Sequence, residues 1–310
     1  MKQLDVIYNE LNSLMYSNFI YENEYEFLYH YTDLDSAKSI IENEQFWVSD
    51  AFTTNDKKEI IHMKDIIDSI VKEKYQNMEE EKKDIYLSAF DRACDILKLN
   101  TFILCFSLIK DSKPLWNDYA NKGGKKGVCM RFDFNKINPD LLTELQSQKR
   151  FFLDDSGNDV EVELLVLNHY VTYSNKEKRT KIEEYLKLVT DVLNRINLVD
   201  FDDTLYKSEF ELLILIFTDI LLYSFLSKDS SWKSEEEFRM VFIFPDIIKC
   251  DSIFKVRKRG AQDVKYVSLN MKSNNTFSIN RIFVKNKRDL DIVKKTLKPV
   301  IKEDIKIKVI

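Results

Sequence analysis

The chain of 310 residues has little of the amino acids that make a protein flexible or cross-linked: five glycines, four prolines and four cysteines. So few glycines and prolines argue against a collagen-like or low-complexity chain. The cysteines are widely spaced and form no Cys-x-x-Cys pair, which argues against a zinc knuckle or a redox dithiol. We expect them to be reduced thiols that lie buried in a cytoplasmic protein.

Long apolar runs are also absent. The most apolar segment, Phe210–Leu226, contains Glu211 and Asp219 and is shorter than the ~20 residues needed to cross a bilayer. It predicts a buried core helix. The N-terminal segment Met1–Leu14 has acidic side chains where a secretion signal would have an unbroken apolar stretch. We therefore expect a cytoplasmic protein with no membrane partner.

The composition is that of a folded globule, with 44% hydrophobic and 13% aromatic residues. The formal net charge is −5 and both signs interleave, so the chain as a whole has no electrostatic preference for nucleic acid. One local exception is the basic segment KVRKRG at residues 255–260. It predicts either a solvated hairpin tip or a local contact with nucleic acid.

The segment FLYHYTDLDSAKSII, residues 27–41, predicts a strand that leads into a helix. Its aromatic residues alternate, and this period of two places His30 on the opposite face of the strand from Tyr31. Thr32 precedes Asp35 by three residues, a spacing that resembles a helix capping box, and an apolar helical stripe follows. Two interpretations of His30 stay open, a packed core histidine or a group with a chemical role.

The remaining pattern predicts an α+β fold with a mixed, mainly antiparallel sheet, flanking helices and a helical insertion at residues 175–230 within a single domain of residues 1–310. Further strands are predicted by alternating or continuous apolar segments at residues 46–49, 101–107, 128–134, 160–174, 236–245, 265–270, 279–285 and 305–310. Helices are predicted at residues 57–97 (two helices), 114–120, 175–227 and 288–297.

The segment SWKSEEEFRMVFIF, residues 231–244, contains the most informative group of charges. As a strand, it would project Glu235, Glu237 and Arg239 to one face and a row of apolar side chains to the other. Such a group is either a surface ion network or a catalytic carboxylate held by a rigid strand. His62 and His169 have ordinary structural explanations. No His-x-x-x-His pair occurs, so we expect no metal.

Five separated segments resemble, in order, the motifs of a bacterial family called domain of unknown function 2971 (DUF2971). They are LYHYTDLDSAKSII, FWVSDAFTTNDKKE, CFSLIKDSKPLWNDYANKGGKKGVCMRFDF, VTYS and WKSEEEFR. The resemblance covers most of the chain outside the helical block. The family more often has a proline directly after Asn-Asp, whereas this chain has Lys57 at that position.

The HYT strand, followed by a helix and a short strand, more distantly resembles the opening of ADP-ribosyltransferases, which have a split sheet. The resemblance implies an NAD site in which His30 is the first member and Glu237 is the last, at the mouth of a late strand. The middle member is an aromatic residue or a serine. Phe106, Tyr119 and Ser49 are the candidates for it.

Physical reasoning assigns roles that agree with this resemblance. Cleavage of the nicotinamide–ribose bond passes through an oxocarbenium-like state, which a carboxylate such as Glu237, with Glu235 beside it, stabilises. His30 can donate to the other ribose, and Tyr31 or Tyr119 can stack on the nicotinamide ring. Arg239, or the lysines of the segment GGKK, can meet the pyrophosphate or the acceptor.

We therefore expect an ADP-ribosyltransferase-like enzyme that uses NAD as a substrate, either a transferase or an NAD hydrolase. A bacterial toxin or an anti-phage defence effector would fit, with a protein or nucleic-acid acceptor and with an antitoxin or defence-system partner. One alternative is a non-catalytic module that senses a nucleotide or a protein. Another is a nuclease that uses Glu235, Glu237 and aspartate residues with a divalent metal. No Gly-x-Gly-x-x-Gly or Walker loop occurs, which argues against a Rossmann dehydrogenase, a kinase or a P-loop ATPase.

Overall fold

A computed structural model describes residues 2–19, 25–53, 58–133, 151–153, 159–161, 165–196, 203–244, 254–259, 261–270, 272–273, 276–302 and 304–310. The chain divides into two compact units. Unit 1 comprises Met1–Tyr21, Ala51–Thr101 and Leu167–Ser231, and unit 2 comprises Glu22–Asp50, Phe102–Val166 and Trp232–Ile310. The predicted helical insertion at 175–230 lies in unit 1, together with helices from two earlier segments.

The helices of the described segments are α1 Lys2–Phe19, α2 Leu34–Asn43, α3 Lys58–Tyr75, α4 Glu80–Asn100, α5 Lys113–Leu115, α6 Asn175–Leu193, α7 Asp203–Phe225 and α8 Lys287–Leu297. The strands are β1 Phe27–Asp33, β2 Gln45–Asp50, β3 Thr101–Ser107, β4 Gly127–Asp133, β5 Phe151–Leu153, β6 Asp159–Glu161, β7 Leu165–Tyr170, β8 Glu237–Ile243, β9 Lys255–Arg259, β10 Gln262–Asn270, β11 Lys272–Ser273, β12 Thr276–Phe277, β13 Ile279–Val284 and β14 Lys306–Val309.

Unit 1 is built around α7, which contacts α1, α3, α4 and α6. Most of the apolar side chains of α7 from Leu212 to Phe225 are buried, although Leu215 is 42% exposed, and Phe217 makes an edge contact with Tyr86 at 4.7 Å between ring centroids. The prediction of a buried core helix is therefore confirmed. In the parts of the chain that the structure describes, no helix is both long enough and apolar enough to cross a membrane.

Unit 2 contains an open sheet with the strand order β14-β13-β4-β1-β3-β2-β10-β9, and β8 also pairs with β3. The pair β13 and β14 is parallel, whereas β1, β4, β2, β10 and β9 pair with their neighbours in antiparallel fashion. Helices α2 and α8 pack beside the sheet. The predicted α+β fold, with a mixed and mainly antiparallel sheet and flanking helices, is confirmed.

Strand β3 is the branch point of this sheet. It pairs with β1 at its last residue, where Tyr29 lies opposite Ser107, and with β2 near its start, where Ser49 lies opposite Ile103. The sheet is therefore split between β1 and β2. Phe46 of β2 joins the two parts, because its ring contacts those of Phe106, at 5.8 Å, and Phe132, at 5.1 Å.

Several local predictions need correction. The N-cap of α2 is Asp33 rather than Thr32, because the Asp33 carboxylate accepts hydrogen bonds from the backbone N–H groups of Asp35 and Ser36. Residues 255–259 of the basic segment form strand β9, whose last residue, Arg259, pairs with Gln262 of β10. The predicted turn at 154–158, most of the one at 53–56, Cys250 and the side chain of His62 lie outside the described residues.

Candidate functional site

A tyrosine and a buried carboxylate from distant parts of unit 2 are hydrogen-bonded to each other. The hydroxyl of Tyr119 donates to Oε1 of Glu235 at 3.0 Å. Glu235 is 4% exposed, whereas the Tyr119 side chain is 36% exposed. The tyrosine ring is thus open to solvent while its hydroxyl reaches a carboxylate beneath the surface. A buried carboxylate requires such a partner, because an unpaired one would be costly.

Tyr119 lies on an unusual turn of helix. Ser112 caps α5, Pro114 lies in its first turn as predicted, and the chain continues as a single π-helical turn over Trp116–Ala120, in which Asn121 N donates to Trp116 O at 2.7 Å. Single π-helical turns are frequent at functional sites. The turn packs on β1 and β4, where Trp116 meets the ring of Tyr31 edge-on at 5.4 Å.

A glycine allows this turn to lie close to the sheet. A Cβ atom on Gly127 would stand 2.0 Å from the carbonyl oxygen of Ala120, so the backbones touch where any side chain would intervene. The backbone N–H of Gly127 also donates to Oδ1 of Asn121. Glycine is therefore required here for close approach of two backbones.

Hydrogen bonds hold the loop after β3 against the segment before β8. Ser107 Oγ donates to the carbonyl of Glu235 at 2.7 Å, and Ser112 Oγ donates to the carbonyl of Ser234 at 3.3 Å. The hydroxyl of Tyr31 donates to Ile109 O and accepts from Ser112 N. Burial raises the pKa of Tyr31, so that the phenol stays neutral and keeps both bonds. Glu235 is thus fixed from its backbone as well as from its carboxylate.

A second carboxylate follows at the first residue of β8. Oε2 of Glu237 accepts a hydrogen bond from Nη2 of Arg239 at 3.0 Å, and both side chains are buried. Between the two glutamates, the exposed residue Glu236 has a φ of +37°, in the left-handed region. Such a conformation is uncommon for a residue other than glycine and is concentrated at functional sites.

The left-handed turn at Glu236 changes the arrangement of the carboxylates from the one predicted, in which Glu235 and Glu237 lie on one face of a strand. Glu235 belongs to a 3₁₀ segment rather than to the strand, so the simple alternation that would place Glu235 and Glu237 on one face does not apply. Strand β8 is also buried on both faces from Glu237 to Phe242. The ion pair of Glu237 with Arg239 is therefore buried and is not the surface ion network that one interpretation of the sequence predicts.

His30 lies on β1 with its ring against Phe46, at 5.1 Å, and Phe106, at 6.0 Å. Its Nδ1 lies 3.1 Å from the carbonyl oxygen of Cys105 in β3. A carbonyl only accepts, so Nδ1 carries the proton. Burial lowers the pKa of His30, so the ring is neutral at pH 7 and its Nε2 is an acceptor. The single N–H of the neutral ring thus faces Cys105 O, and a group that meets Nε2 would have to be a hydrogen-bond donor.

His30 and Glu237 each have a hydrogen-bonding partner of their own: Nδ1 of His30 lies against the carbonyl of Cys105, and Glu237 accepts from Arg239. Both residues nevertheless lie on strands that pair with β3. The register confirms that His30 and Tyr31 project to opposite faces of β1, since they lie opposite Met130 and Cys129 respectively. The π-helical turn packs on the face of Tyr31.

The other candidates are dispersed. Phe106 is buried beside His30, whereas Ser49 accepts a hydrogen bond from Arg257 Nη2 at 3.0 Å in another part of the sheet. The lysines of GGKK already have acidic neighbours, Asp33 for Lys125 and Asp289 for Lys126. Among the described residues, no group of three or more His, Cys, Asp and Glu side chains is placed to hold a metal ion.

The sequence interpretation missed the residues that fix the site. Ser107 and Ser112 bracket the loop after β3, and the carboxylate of Asp111 accepts from Trp116 Nε1 at 2.9 Å and from Lys285 Nζ at 2.5 Å. The hydrogen bond from Lys285 holds the pKa of Asp111 below its usual value. The available signal was a set of small polar residues, Ser107, Asp111 and Ser112, at and after the end of a buried strand, which is typical of a structured loop.

Part of this region is similar to a known family model. Residues 115–240 match the family model DUF2971, a protein of unknown function. The match supports the predicted family resemblance and includes Tyr119, Glu235 and Glu237. It also includes the helical block at 175–230, which we expected to lie outside the resemblance. No curated protein matches the chain.

Proposed function

We propose that the chain is an ADP-ribosyltransferase-like enzyme that cleaves NAD, with Glu237 as the catalytic carboxylate and Glu235 as a second carboxylate beside it. The observation that carries the proposal is the buried pair of glutamates at the start of β8, one bonded to Arg239 and the other to the half-exposed Tyr119. The split of the sheet at β3 supports the split-sheet fold that the resemblance implies.

The reaction makes specific demands on these residues. The bond between the ribose carbon and the nicotinamide nitrogen breaks, and its electron pair leaves with nicotinamide. The ribose carbon then carries an oxocarbenium-like charge, which a fixed carboxylate such as that of Glu237 stabilises. Water or an acceptor nucleophile attacks this carbon and loses its proton. If water accepts the ADP-ribose, the enzyme is an NAD hydrolase. If a protein or a nucleic acid accepts it, the enzyme is a transferase.

Tyr119 and His30 have complementary roles in this proposal. The exposed ring of Tyr119 offers a face on which the nicotinamide stacks, and its bond to Glu235 holds that ring in one orientation. The neutral His30, with Nδ1 donating to Cys105 O, offers Nε2 as an acceptor for a ribose hydroxyl. Arg239 supplies the positive charge that makes a buried Glu237 tolerable.

The test is incubation of purified protein with NAD labelled in its adenylate part, with and without bacterial lysate, and measurement of nicotinamide release and label transfer. We expect Glu237→Gln to lower both by ~100-fold or more, as loss of a charge-stabilising group does. Glu236→Gln is the matched control, because it changes the adjacent but exposed carboxylate and should leave both rates unchanged. His30→Ala should weaken NAD binding more than it lowers turnover of bound NAD.

A second candidate is a non-catalytic module that binds a nucleotide or a partner protein. It is favoured by the fact that each glutamate already has a partner within the chain. A rise in melting temperature with NAD, without nicotinamide release, would support this candidate over the first. If NAD neither raises the melting temperature nor is cleaved, with lysate present or absent, both forms of NAD use are excluded. The protein can be a toxin or an anti-phage effector, with an antitoxin or defence-system partner, only if it cleaves NAD.

A further inference from the structure

An exposed aromatic and basic surface lies on β2, β10 and β9, away from the two glutamates. Trp47 is 42% exposed, and its ring centroid is 4.8 Å from that of Tyr266 with an angle of 35° between the planes. The guanidinium of Arg257 lies over both rings, 5.2 Å from the centroid of Trp47 and 5.9 Å from that of Tyr266. We call this surface the outer platform; it consists of Trp47, Ser49, Lys255, Arg257, Tyr266 and Ser268.

The strand register shows that the outer platform is one continuous face. Residues that pair directly across antiparallel strands point to the same side. Trp47 lies opposite Ser268, and Ser49 lies opposite Tyr266. Tyr266 in turn lies opposite Lys255 on the terminal strand β9. The alternate residues of β2, which include Phe46 and Val48, are buried on the other side of the strand.

Hydrogen bonds hold the two cations of this face in place. Arg257 Nη2 donates to Ser49 Oγ at 3.0 Å, and Lys255 Nζ lies 3.3 Å from Ser268 Oγ. The segment Lys255–Lys265 contains five lysines and arginines but only one carboxylate, that of Asp263. Asp263 forms its ion pair with Lys258, which alternates with Arg257 and so projects from the other face of β9. The outer platform therefore carries two cations, Lys255 and Arg257, and the ion pair of Asp263 lies on the other face, within a chain of net charge −5.

Protection of a sheet edge explains only part of this arrangement. Lysine and arginine on an edge strand such as β9 prevent pairing with another chain. That function does not require an exposed tryptophan on β2, nor an arginine bonded to Ser49 and placed over two rings. Aromatic rings on an antiparallel sheet, flanked by fixed cations, are the features by which proteins hold unpaired nucleic-acid bases and their phosphates.

We infer that the outer platform binds single-stranded nucleic acid, with one base stacked on Trp47 and with the neighbouring phosphates at Lys255 and Arg257. Stacking and phosphate contacts carry no preference for one base, so binding tolerates different sequences. Duplex DNA binds more weakly, because its bases are stacked on each other and do not reach the tryptophan. This inference concerns binding alone and does not depend on NAD cleavage.

In the experiment, increasing amounts of the 310-residue protein are added to a fluorescently labelled single-stranded DNA of 20 mixed nucleotides, to the matching RNA and to the corresponding duplex. Binding is measured by the fluorescence anisotropy of the label. Trp47→Ala should weaken binding of the single strands by roughly 5- to 150-fold, the range expected for loss of stacking on one base. Lys255→Ala should weaken binding. It should also make the slope of log affinity against log salt less negative by about 0.7, the value for one phosphate of a single strand.

Two matched controls separate the platform from general effects. Trp232→Ala removes another tryptophan of similar exposure, 37%, and Lys258→Ala removes a cation from the same strand but from its other face. Both should bind single strands as the unchanged protein does. Thermal melting of each variant checks that the fold is retained. Arg257→Lys should also weaken binding, because lysine keeps the charge but lacks the planar group that lies over both rings.

Three results would overturn the inference. The first is no binding of either single strand at 50 mM salt and micromolar protein. The second is binding that Trp47→Ala leaves unchanged while the protein stays folded, since stacking would then have no part in it. The third is equal affinity for a polyglutamate peptide, which would mean that the surface recognises acidic chains in general rather than nucleic acid.

Discussion

Tyr119 and Glu235 are separated by 116 positions in the chain, yet the tyrosine hydroxyl donates to the buried carboxylate at 3.0 Å. The bond joins the π-helical turn to the segment that precedes β8. It thereby connects a tyrosine that is 36% exposed to a glutamate that is 4% exposed.

Tyr119→Phe removes the hydroxyl group, and with it this bond, but keeps the aromatic ring. We expect the free energy of unfolding to fall by ~1–3 kcal/mol, because Glu235 loses a partner while remaining buried. NAD cleavage should fall as well, since the ring is no longer held. Urea unfolding measures the first effect and nicotinamide release the second. Tyr16→Phe, at a tyrosine that is 60% exposed on α1, is the control and should change neither quantity.

Loss of Arg239 alone should lower the free energy of unfolding by more than loss of Arg239 and Glu237 together. Arg239→Met leaves the Glu237 carboxylate buried beside an apolar group, which costs ~3–5 kcal/mol in the free energy of unfolding. The double variant Glu237→Gln with Arg239→Met should recover part of this loss, because the buried charge is removed. Chemical denaturation of the two single variants and the double variant gives the coupling energy. Strictly additive losses would contradict a direct interaction.

Glu236 offers a test of backbone strain that leaves the buried carboxylates in place. Glycine adopts a φ of +37° without strain, so Glu236→Gly should leave the free energy of unfolding within ~1 kcal/mol of the unchanged protein. Glu236→Val should lower it by ~1–3 kcal/mol, because a β-branched residue resists this conformation. The control Glu236→Gln keeps the backbone preference. Equal stability of the glycine and valine variants would refute the predicted strain.

Asp219 should make the stability of the protein depend on pH. Burial in α7 raises the pKa of its carboxyl from the usual 3.8 to about 7. The unfolded chain therefore loses this proton first, and the free energy of unfolding falls as the pH rises from about 4 to about 7. At ~1.4 kcal/mol for each pH unit between the two values, the loss reaches at most ~4 kcal/mol above pH 7.

Asp219→Asn should remove this dependence. Urea unfolding at pH 5 and at pH 8 should show that the asparagine variant gains stability over the unchanged protein as the pH rises. Glu211→Gln, at an exposed carboxylate of the same helix, should show no such gain. A difference between the asparagine variant and the unchanged protein that is the same at both pH values would contradict the prediction.

The strands and helices of unit 2 were predictable because alternation and helical spacing are local properties. Strand β3 begins and ends at the predicted residues, and the two faces of β1 are those that the aromatic alternation indicated. The cap of α2 was placed one residue early, since Thr32 and Asp33 are both capping residues and only the backbone geometry decides between them.

The site was less predictable, because its defining contacts join residues that are far apart in the chain. Glu235, Glu237, Arg239 and Tyr119 were recognised as candidates, but the bond between Tyr119 and Glu235 could not be read from either segment. The left-handed turn at Glu236 broke the alternation on which the shared face depended. A non-glycine residue gives no local sign of such a conformation, which is imposed by the surrounding bonds.

Gly127 limits how freely this region can vary between related proteins. A methyl group there would push the π-helical turn outward from β4, and the Tyr119 hydroxyl would move away from Glu235 with it. A residue that has no side chain thus determines how far the hydroxyl of Tyr119 reaches. Relatives that replace this glycine should be found to have rebuilt the turn, and a search for the site in them should start from the length of the segment between Trp116 and β4.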